Sequence, residues 1–401
     1  MAERSLQSPA SPVPDLAIES RAEASATSGT SALKRWAWVH RWSSLVCTLF
    51  LLLLCLTGLP LIFSEEIGHW LDDTPASSAA PGTPRASVDP MVARSLQQYP
   101  GQQVYSIVVE EAQPQVKVFM APSFDEARRN PRSIHVLHFD AFSGEFAKPP
   151  DPTERGRLTF MNLMLKLHTD LFAGLAGELL LGFMGLLFVI ALISGVVLYA
   201  PFMRKLPFGV LRRGRSKRLL WLDWHNLLGI ATLCWLMVVG VTGVINELAT
   251  PMFAAWRGNE LKALLAQDQQ QATPPSMALL PSVQQALNTA MAQQLDMQAV
   301  SVVYPGNPQG SSQHYLIWSK GRTPLTSQLY NPTLVDGRSG ALLGKVTVPW
   351  YLVALQVSRP LHFGDYAGLP LKILWTVLDL IAIAVMVSGV YLWWVRRPKS
   401  T

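Results

Sequence analysis

Hydrophobic positions in this chain accumulate in four long runs, at 45–63, 175–199, 227–248 and 371–395. A helix of about 20 apolar residues crosses a hydrocarbon core of about 30 Å, and each run meets that length. The two segments that separate the first run from the second and the third from the fourth have another character. Each opens on a helix-like stretch (90–98, 281–295) and continues into an alternating strand pattern (104–109, 299–304). The pattern predicts an integral membrane protein with four transmembrane α-helices and two α+β domains outside the bilayer.

Basic residues give the direction. The loop after the second run carries Arg204, Lys205, Arg212, Arg213, Arg215, Lys217 and Arg218, with no acid between Pro201 and Leu222. Lys34, Arg35 and Arg41 precede the first run, and Arg396, Arg397 and Lys399 follow the last. By the positive-inside rule both termini and this loop are cytoplasmic, and the two α+β domains lie outside, in the periplasm if the cell has an outer membrane. Tryptophans near the span ends (Trp36, Trp38, Trp42, Trp221, Trp224, Trp393, Trp394) fit an interfacial belt. The expected layout is a disordered tail (1–33), span one (34–64), a first outer domain (65–167) and span two (168–200). A basic loop (201–220), span three (221–249), a second outer domain (250–361), span four (362–395) and a short tail (396–401) complete it.

Composition narrows the function. Of 401 residues, 49% are hydrophobic and only 15% charged, against about 25% charged in soluble domains. The net charge of +6 is concentrated in the topology signals and needs no nucleic acid to explain it. Cys47, Cys55 and Cys234 all lie in apolar runs and build neither a disulfide framework nor a CxxC metal site.

The chain repeats itself. With His40 aligned on His225, Thr57-Gly58 and Thr242-Gly243 fall at the same offsets of 17 and 18 residues. With His168 aligned on His362, Ala173-Gly174-Leu175 matches Ala367-Gly368-Leu369, and Ser194-Gly195-Val196 matches Ser388-Gly389-Val390. Asp140, Ser143 and Gly144 recur as Asp336, Ser339 and Gly340. The expectation is two tandem span–domain–span repeats in one orientation.

Four of the eight histidines fall at the edges of the four spans: His40 and His225 at the cytoplasmic ends, His168 and His362 at the outer ends. A lone interfacial histidine is ordinarily a hydrogen-bonded belt residue. Two repeat-related pairs on opposite faces instead suit bis-imidazole ligation of two haem b groups, and no CxxCH exists for covalent attachment. Gly58 and Gly243, with Gly195 and Gly389, would leave room for a flat macrocycle; close helix packing is the plainer use of such glycines. Asp379 stands in mid-span, where an acid is costly. A proton-coupling role and a hydrogen bond to a hydroxyl on a neighbouring helix are its two readings. Glu178 and Lys372 are near enough to the surface to snorkel. His135 and His138 read as surface residues on opposite faces of a strand, His69 and His314 carry less signal still, and Asp140 and Asp336 read as turn holders.

The motifs Trp38-Val39-His40-Arg41-Trp42, Leu167-His168-Thr169-Asp170, Trp224-His225-Asn226-Leu227-Leu228-Gly229 and Leu361-His362-Phe363-Gly364 resemble those of the PepSY-associated transmembrane family, as does the closing 388–394 segment. That family includes iron-regulated membrane proteins and inner-membrane siderophore-iron reductases. The resemblance implies PepSY-like outer domains, haem on His40, His225, His168 and His362, and reduction of a periplasmic ferric siderophore or other ferric chelate to release Fe(II). The sequence has no GxGxxG and no P-loop, so the electron donor is expected to be quinol or a cytoplasmic reductase. Three rival readings stand beside this one: a cofactor-free tethered module that regulates a protease, a transporter, and a dihaem reductase with another periplasmic acceptor.

Overall fold

The apolar runs are helical in the computed structural model, which describes residues 16–71, 80, 82–111, 113–150, 158–203, 207–266, 280 and 282–395. In chain order the elements are α1 (Leu16–Ile62), α2 (Ser64–Leu71), α3 (Val88–Gln98), β1 (Gln103–Val108), β2 (Gln115–Ala121), α4 (Phe124–Arg129), β3 (His135–Asp140), α5 (Phe160–Thr169) and α6 (Leu175–Met203). There follow α7 (Lys217–Ala231), α8 (Leu233–Glu247), α9 (Ala249–Trp256), α10 (Lys262–Leu265), α11 (Val283–Met291), β4 (Met297–Val303), β5 (His314–Gly321), β6 (Tyr330–Asp336), β7 (Leu342–Lys345), α12 (Trp350–Phe363) and α13 (Gly368–Trp394).

Among the described residues, Ser31–Ile62, Leu175–Pro201 and Asp365–Trp394 are long and apolar enough to cross a membrane. The expected third span is broken: α7 and α8 meet at an angle of 67°. The break falls at Thr232, whose Oγ1 donates to the Leu228 carbonyl at 2.7 Å while its N–H donates to the same oxygen at 3.0 Å. A threonine bonded back onto its own helix in this way is compatible with a bend, and here Thr232 caps α7.

The first helix is longer than expected. It runs over Leu16–Ile62, and its apolar part over Ser31–Ile62. Residues 1–15 lie outside the described part, as do Arg204, Lys205, Pro281, Arg396, Arg397 and Lys399.

The two outer segments do not form two domains. Their strands make one antiparallel sheet in the order β3-β2-β1-β4-β5-β6-β7. The seam is the β1–β4 pair, with Ser106 opposite Val303, Ile107 opposite Val302 and Val108 opposite Ser301. Beneath α3 and α11 a single core takes Val104, Ile107, Met120 and Phe139 from one side and Val302, Tyr315, Ile317 and Val335 from the other. The helices exchange caps as well. Ser282 Oγ donates to Asp89 Oδ2 at 2.5 Å, the Gln284 N–H to Asp89 Oδ1 at 3.2 Å, and the Val88 N–H to Gln284 Oε1 at 3.1 Å. Alternation reveals that a strand exists but not which strand it pairs with, so the merger was hidden in the sequence.

Strand alternation serves a second layer. Val303, Leu316 and Leu334 point to the opposite face and pack on Trp256, Leu261, Leu352 and Leu355. These residues belong to α9, the turn after it and α12, so the second half of the sheet is seated on helices that continue from the bundle. The turn reading of Asp140 and Asp336 holds. Asp140 Oδ1 accepts from the Ser143 N–H at 2.8 Å, and Asp336 Oδ1 from the Ser339 N–H at 2.6 Å.

Ile107 is fully buried at the seam. Ile107→Ala is expected to cost about 2–5 kcal/mol and, because the core is shared, to raise amide hydrogen exchange in β5 as well as β2. A rise confined to β1–β3 would indicate two separately folding domains.

Candidate functional site

Each of the four span-edge histidines is seated on another helix at a Ser-Gly or Thr-Gly step. His40 on α1 reaches α6, where its Nδ1 lies 2.9 Å from the Ala191 carbonyl and 3.2 Å from Ser194 Oγ. His225 on α7 makes the same contacts with α13, at 3.0 Å from the Val385 carbonyl and 2.9 Å from Ser388 Oγ. His362 on α12 meets α8 at 3.1 Å from the Val239 carbonyl and 3.2 Å from Thr242 Oγ1. His168 on α5 meets α1, with Nδ1 3.0 Å from Thr57 Oγ1.

These contacts fix the tautomer. A backbone carbonyl only accepts, so Nδ1 carries the proton at His40, His225 and His362. The hydroxyls agree, because each gives its own proton to its own helix. Ser194 donates to Ala191 at 2.9 Å, Ser388 to Val385 at 2.7 Å, Thr242 to Val238 at 2.7 Å and Thr57 to Leu53 at 2.8 Å. A hydroxyl spent in that way accepts from the imidazole, which extends the argument to His168. All four rings therefore present Nε2 as the lone-pair nitrogen, the state of a metal ligand oriented by a second hydrogen bond.

The glycine of each step has a use other than the one expected. A Cβ on Gly58 would stand 3.1 Å from His168 Cε1, one on Gly195 3.2 Å from His40 Cε1, one on Gly243 3.3 Å from His362 Cε1 and one on Gly389 3.4 Å from His225 Cε1. The missing side chains make room for the imidazoles themselves and not directly for a macrocycle. A ring pressed against helix backbone has its plane and height set by that backbone.

The rings come together in pairs. His40 and His225 have ring centres 6.4 Å apart with planes at 74°; His168 and His362 are 6.3 Å apart at 64°. Two imidazoles that share one ion between their nitrogens, each about 2 Å away, have ring centres about 6.3 Å apart. Both pairs match that spacing. They line a single cavity of about 1200 Å³, larger than the roughly 300–1,000 Å³ of an ordinary ligand pocket. Its walls are largely apolar, and Arg41 and Arg359 are the arginines that line it. Gly58 follows His40 by 18 residues on α1, so the two levels are separated by about 27 Å of helix rise. The donor set, the spacing and the cavity together fit a large flat ligand at each level.

Other expectations fare unevenly. His168 and His362 stand not on the long spans but on the short helices α5 and α12, each followed by a turn. The turn after His168 holds Leu171 and Phe172 at positive φ of 52° and 61°, with the Phe172 N–H donating to Asp170 Oδ1 at 2.9 Å. Gly364 takes the left-handed conformation after His362 at φ 78°. An apolar run by itself does not show where a helix stops and reverses. Lys372 does not snorkel but is buried and paired with Glu66 at 2.9 Å, while Glu178 lines the cavity. Asp379 meets no hydroxyl; its neighbour is the Cys55 thiol.

His135 and His138 do lie on opposite strand faces, against Tyr99 and Gln115 respectively. His314 is buried beside Ser311 and Asp336. The side chain of His69 lies outside the described part. The sequence reading used Thr57, Ser194, Thr242 and Ser388 only as repeat markers. Their place directly before each glycine is the signal that could have revealed their role.

Comparison with known proteins points to a membrane protein. The family model described as PepSY-associated TM region matches residues 37–396. An uncharacterized protein of Pseudomonas aeruginosa is 28% identical over 269 residues, which cover 60% of this chain and 64% of that relative. The chain thus spans just under two thirds of the relative's length.

In ¹⁵N-histidine spectra of the cofactor-free protein, these four rings are expected as neutral tautomers protonated at Nδ1. In Thr57→Val, which removes the hydroxyl acceptor, the His168 signal alone should change. Four rings protonated at Nε2 would contradict the seating.

Proposed function

This chain belongs to the PepSY-associated TM region family, and we propose that it is a four-span, two-repeat protein of the bacterial inner membrane that passes electrons outward to a ferric chelate. The observation that supports this most directly is the two histidine pairs at opposite ends of one cavity, each ring with Nδ1 engaged and Nε2 left as donor. His40 and His225 would hold one haem b near the cytoplasmic face, and His168 and His362 a second near the outer face. When bound, each haem would supply a one-electron centre held by a pair of imidazoles, chemistry suited to electron transfer.

The chain's own residues do the rest. The Ser-Gly and Thr-Gly steps hold each imidazole at one height and in one tautomer. Arg41 and Arg359, as cavity-lining cations, are placed to pair with carboxylate substituents. The apolar walls keep water from the path between the levels. The sheet, seated on α9 and α12, covers the outer end, so a chelate would approach at the mouth beside it rather than between two separate domains. Reduction of Fe(III) to Fe(II) there weakens the grip of hard oxygen donors and frees the metal. Electrons would come from quinol or a cytoplasmic reductase, with both termini on the cytoplasmic side as the basic loops require.

The purified protein is expected to show two b-type haems per chain in oxidised and dithionite-reduced absorption spectra. His225→Ala and His362→Ala should each lose one, and Ser388→Ala should weaken haem affinity about 10–100-fold. A ferric siderophore added to the reduced protein should re-oxidise it. A folded but colourless protein, expressed with haem present, would overturn the reading and favour a tethered binding module.

A further inference from the structure

Along the cavity the two halves differ at one pair of positions that face each other across a helix seam. Cys55 lies 15 residues beyond His40, and the same offset from His225 gives Gly240. Asp379 lies 17 residues beyond His362, and the same offset from His168 gives Gly185. On the α6–α8 seam the glycines permit close packing: a Cβ on Gly185 would stand 3.0 Å from Val244 and one on Gly240 3.1 Å from Phe188. On the matching α1–α13 seam the same positions hold a thiol and a carboxylic acid. Both face the cavity.

Asp379 is only 8% exposed, and its Oδ2 has no hydrogen-bond partner. Asp379 precedes Gly389, the seat of His225, by ten residues, or about 15 Å of helix. Cys55 precedes Gly58, the seat of His168, by three residues, or about 4.5 Å. The acid therefore stands between the two histidine levels, nearer the outer one. Titratable groups of several helices line the same cavity: Glu178 on α6, Glu247 on α8, and His40 and Arg41 at the other end of α1. Cys55 projects from α1, and His168 and His362 lie toward the outer end. Lys372, two turns back on α13, is already held by Glu66. From α7, His225, Lys217, Arg218 and Asp223 with its partner Arg212 stand at the far end of α13.

A buried carboxyl whose neighbour is a thiol and whose second oxygen has no partner follows the charge around it in a medium of low dielectric. We propose that Asp379 is the proton-accepting group of the electron path, a role that rests on the two-haem reading above. With one more electron held at the outer histidine pair, the Asp379 carboxylate would take one proton from solvent and become the neutral acid. When the electron leaves for the ferric chelate, the proton returns to solvent. Glu178, Asn246 and Glu247 line the cavity between this acid and the outer mouth and give the proton polar stations. The net charge inside the bilayer then stays constant through each turnover. The matching positions Gly185 and Gly240 hold no acid; the acids of the α6–α8 seam, Glu178 and Glu247, stand nearer its outer end.

Midpoint potentials of the purified protein, measured from pH 5 to 9, test this. The outer centre is identified as the one lost in His362→Ala. Because reduction binds a proton, its potential should fall as pH rises, by up to about 59 mV per unit for one electron. Asp379→Asn should flatten that slope while leaving the absorption spectrum of both haems intact, and Asp379→Glu should restore it. Equal slopes in the wild type and Asp379→Asn, with both haems in place, would overturn the role of Asp379 alone. A wild-type protein that binds no haem would overturn the two-haem reading, and this proposal with it.

Discussion

The structure depends on the hydrogen bond from each histidine Nδ1 to the Ser-Gly or Thr-Gly step of a neighbouring helix. An imidazole N–H inside a hydrocarbon slab has no water to satisfy it, so it must find a protein acceptor. The acceptor here is a helix carbonyl, a hydroxyl or both, and it is reachable only because the following residue is glycine and the ring can lie against the backbone. Interhelical bonds of this kind contribute about 0.6–2 kcal/mol each in membranes. Their larger effect is geometric. Four such bonds tie α1 to α6, α5 to α1, α7 to α13 and α12 to α8, so the same contacts that join the helices also decide where Nε2 points.

This coupling of structure to site explains the breaks in the helices. A ring can be brought in from the outer side only by a helix that ends there and turns back, and α5 and α12 do so before α6 and α13 begin. The turns are made by two left-handed non-glycine residues in one half and a glycine in the other. The bend at Thr232 serves the same end. It lets α7 present His225 to α13 while α8 offers Thr242-Gly243 to His362. Outside the bilayer, the shared sheet fixes the two halves to each other through the β1–β4 seam, and its packing on α9 and α12 carries that rigidity down to the second histidine pair.

Much of this was legible from the residues. The apolar runs follow from the length of a bilayer crossing, the pairing of histidines by level from the offsets His40–His225 and His168–His362, and the turns at Asp140 and Asp336 from the Asp-x-x-Ser-Gly spacing. What escaped was partnership. Alternation at 104–109 and 299–304 marks two strands without saying that they are neighbours. The glycine at 58 marks a close approach without saying whether a ring, a helix or a cofactor comes near.

The sequence by itself therefore determined the medium, the level of each histidine in it and the residue types at each step, because hydrophobic length, charge bias and spacing act locally along the chain. The tertiary structure decided which nitrogen of each ring is engaged, how far apart the paired rings stand, that two outer segments share one sheet, and that Asp379 faces Cys55 across a cavity. Those are relations between helices and strands far apart in the chain, set by packing and hydrogen-bond geometry that no single segment encodes.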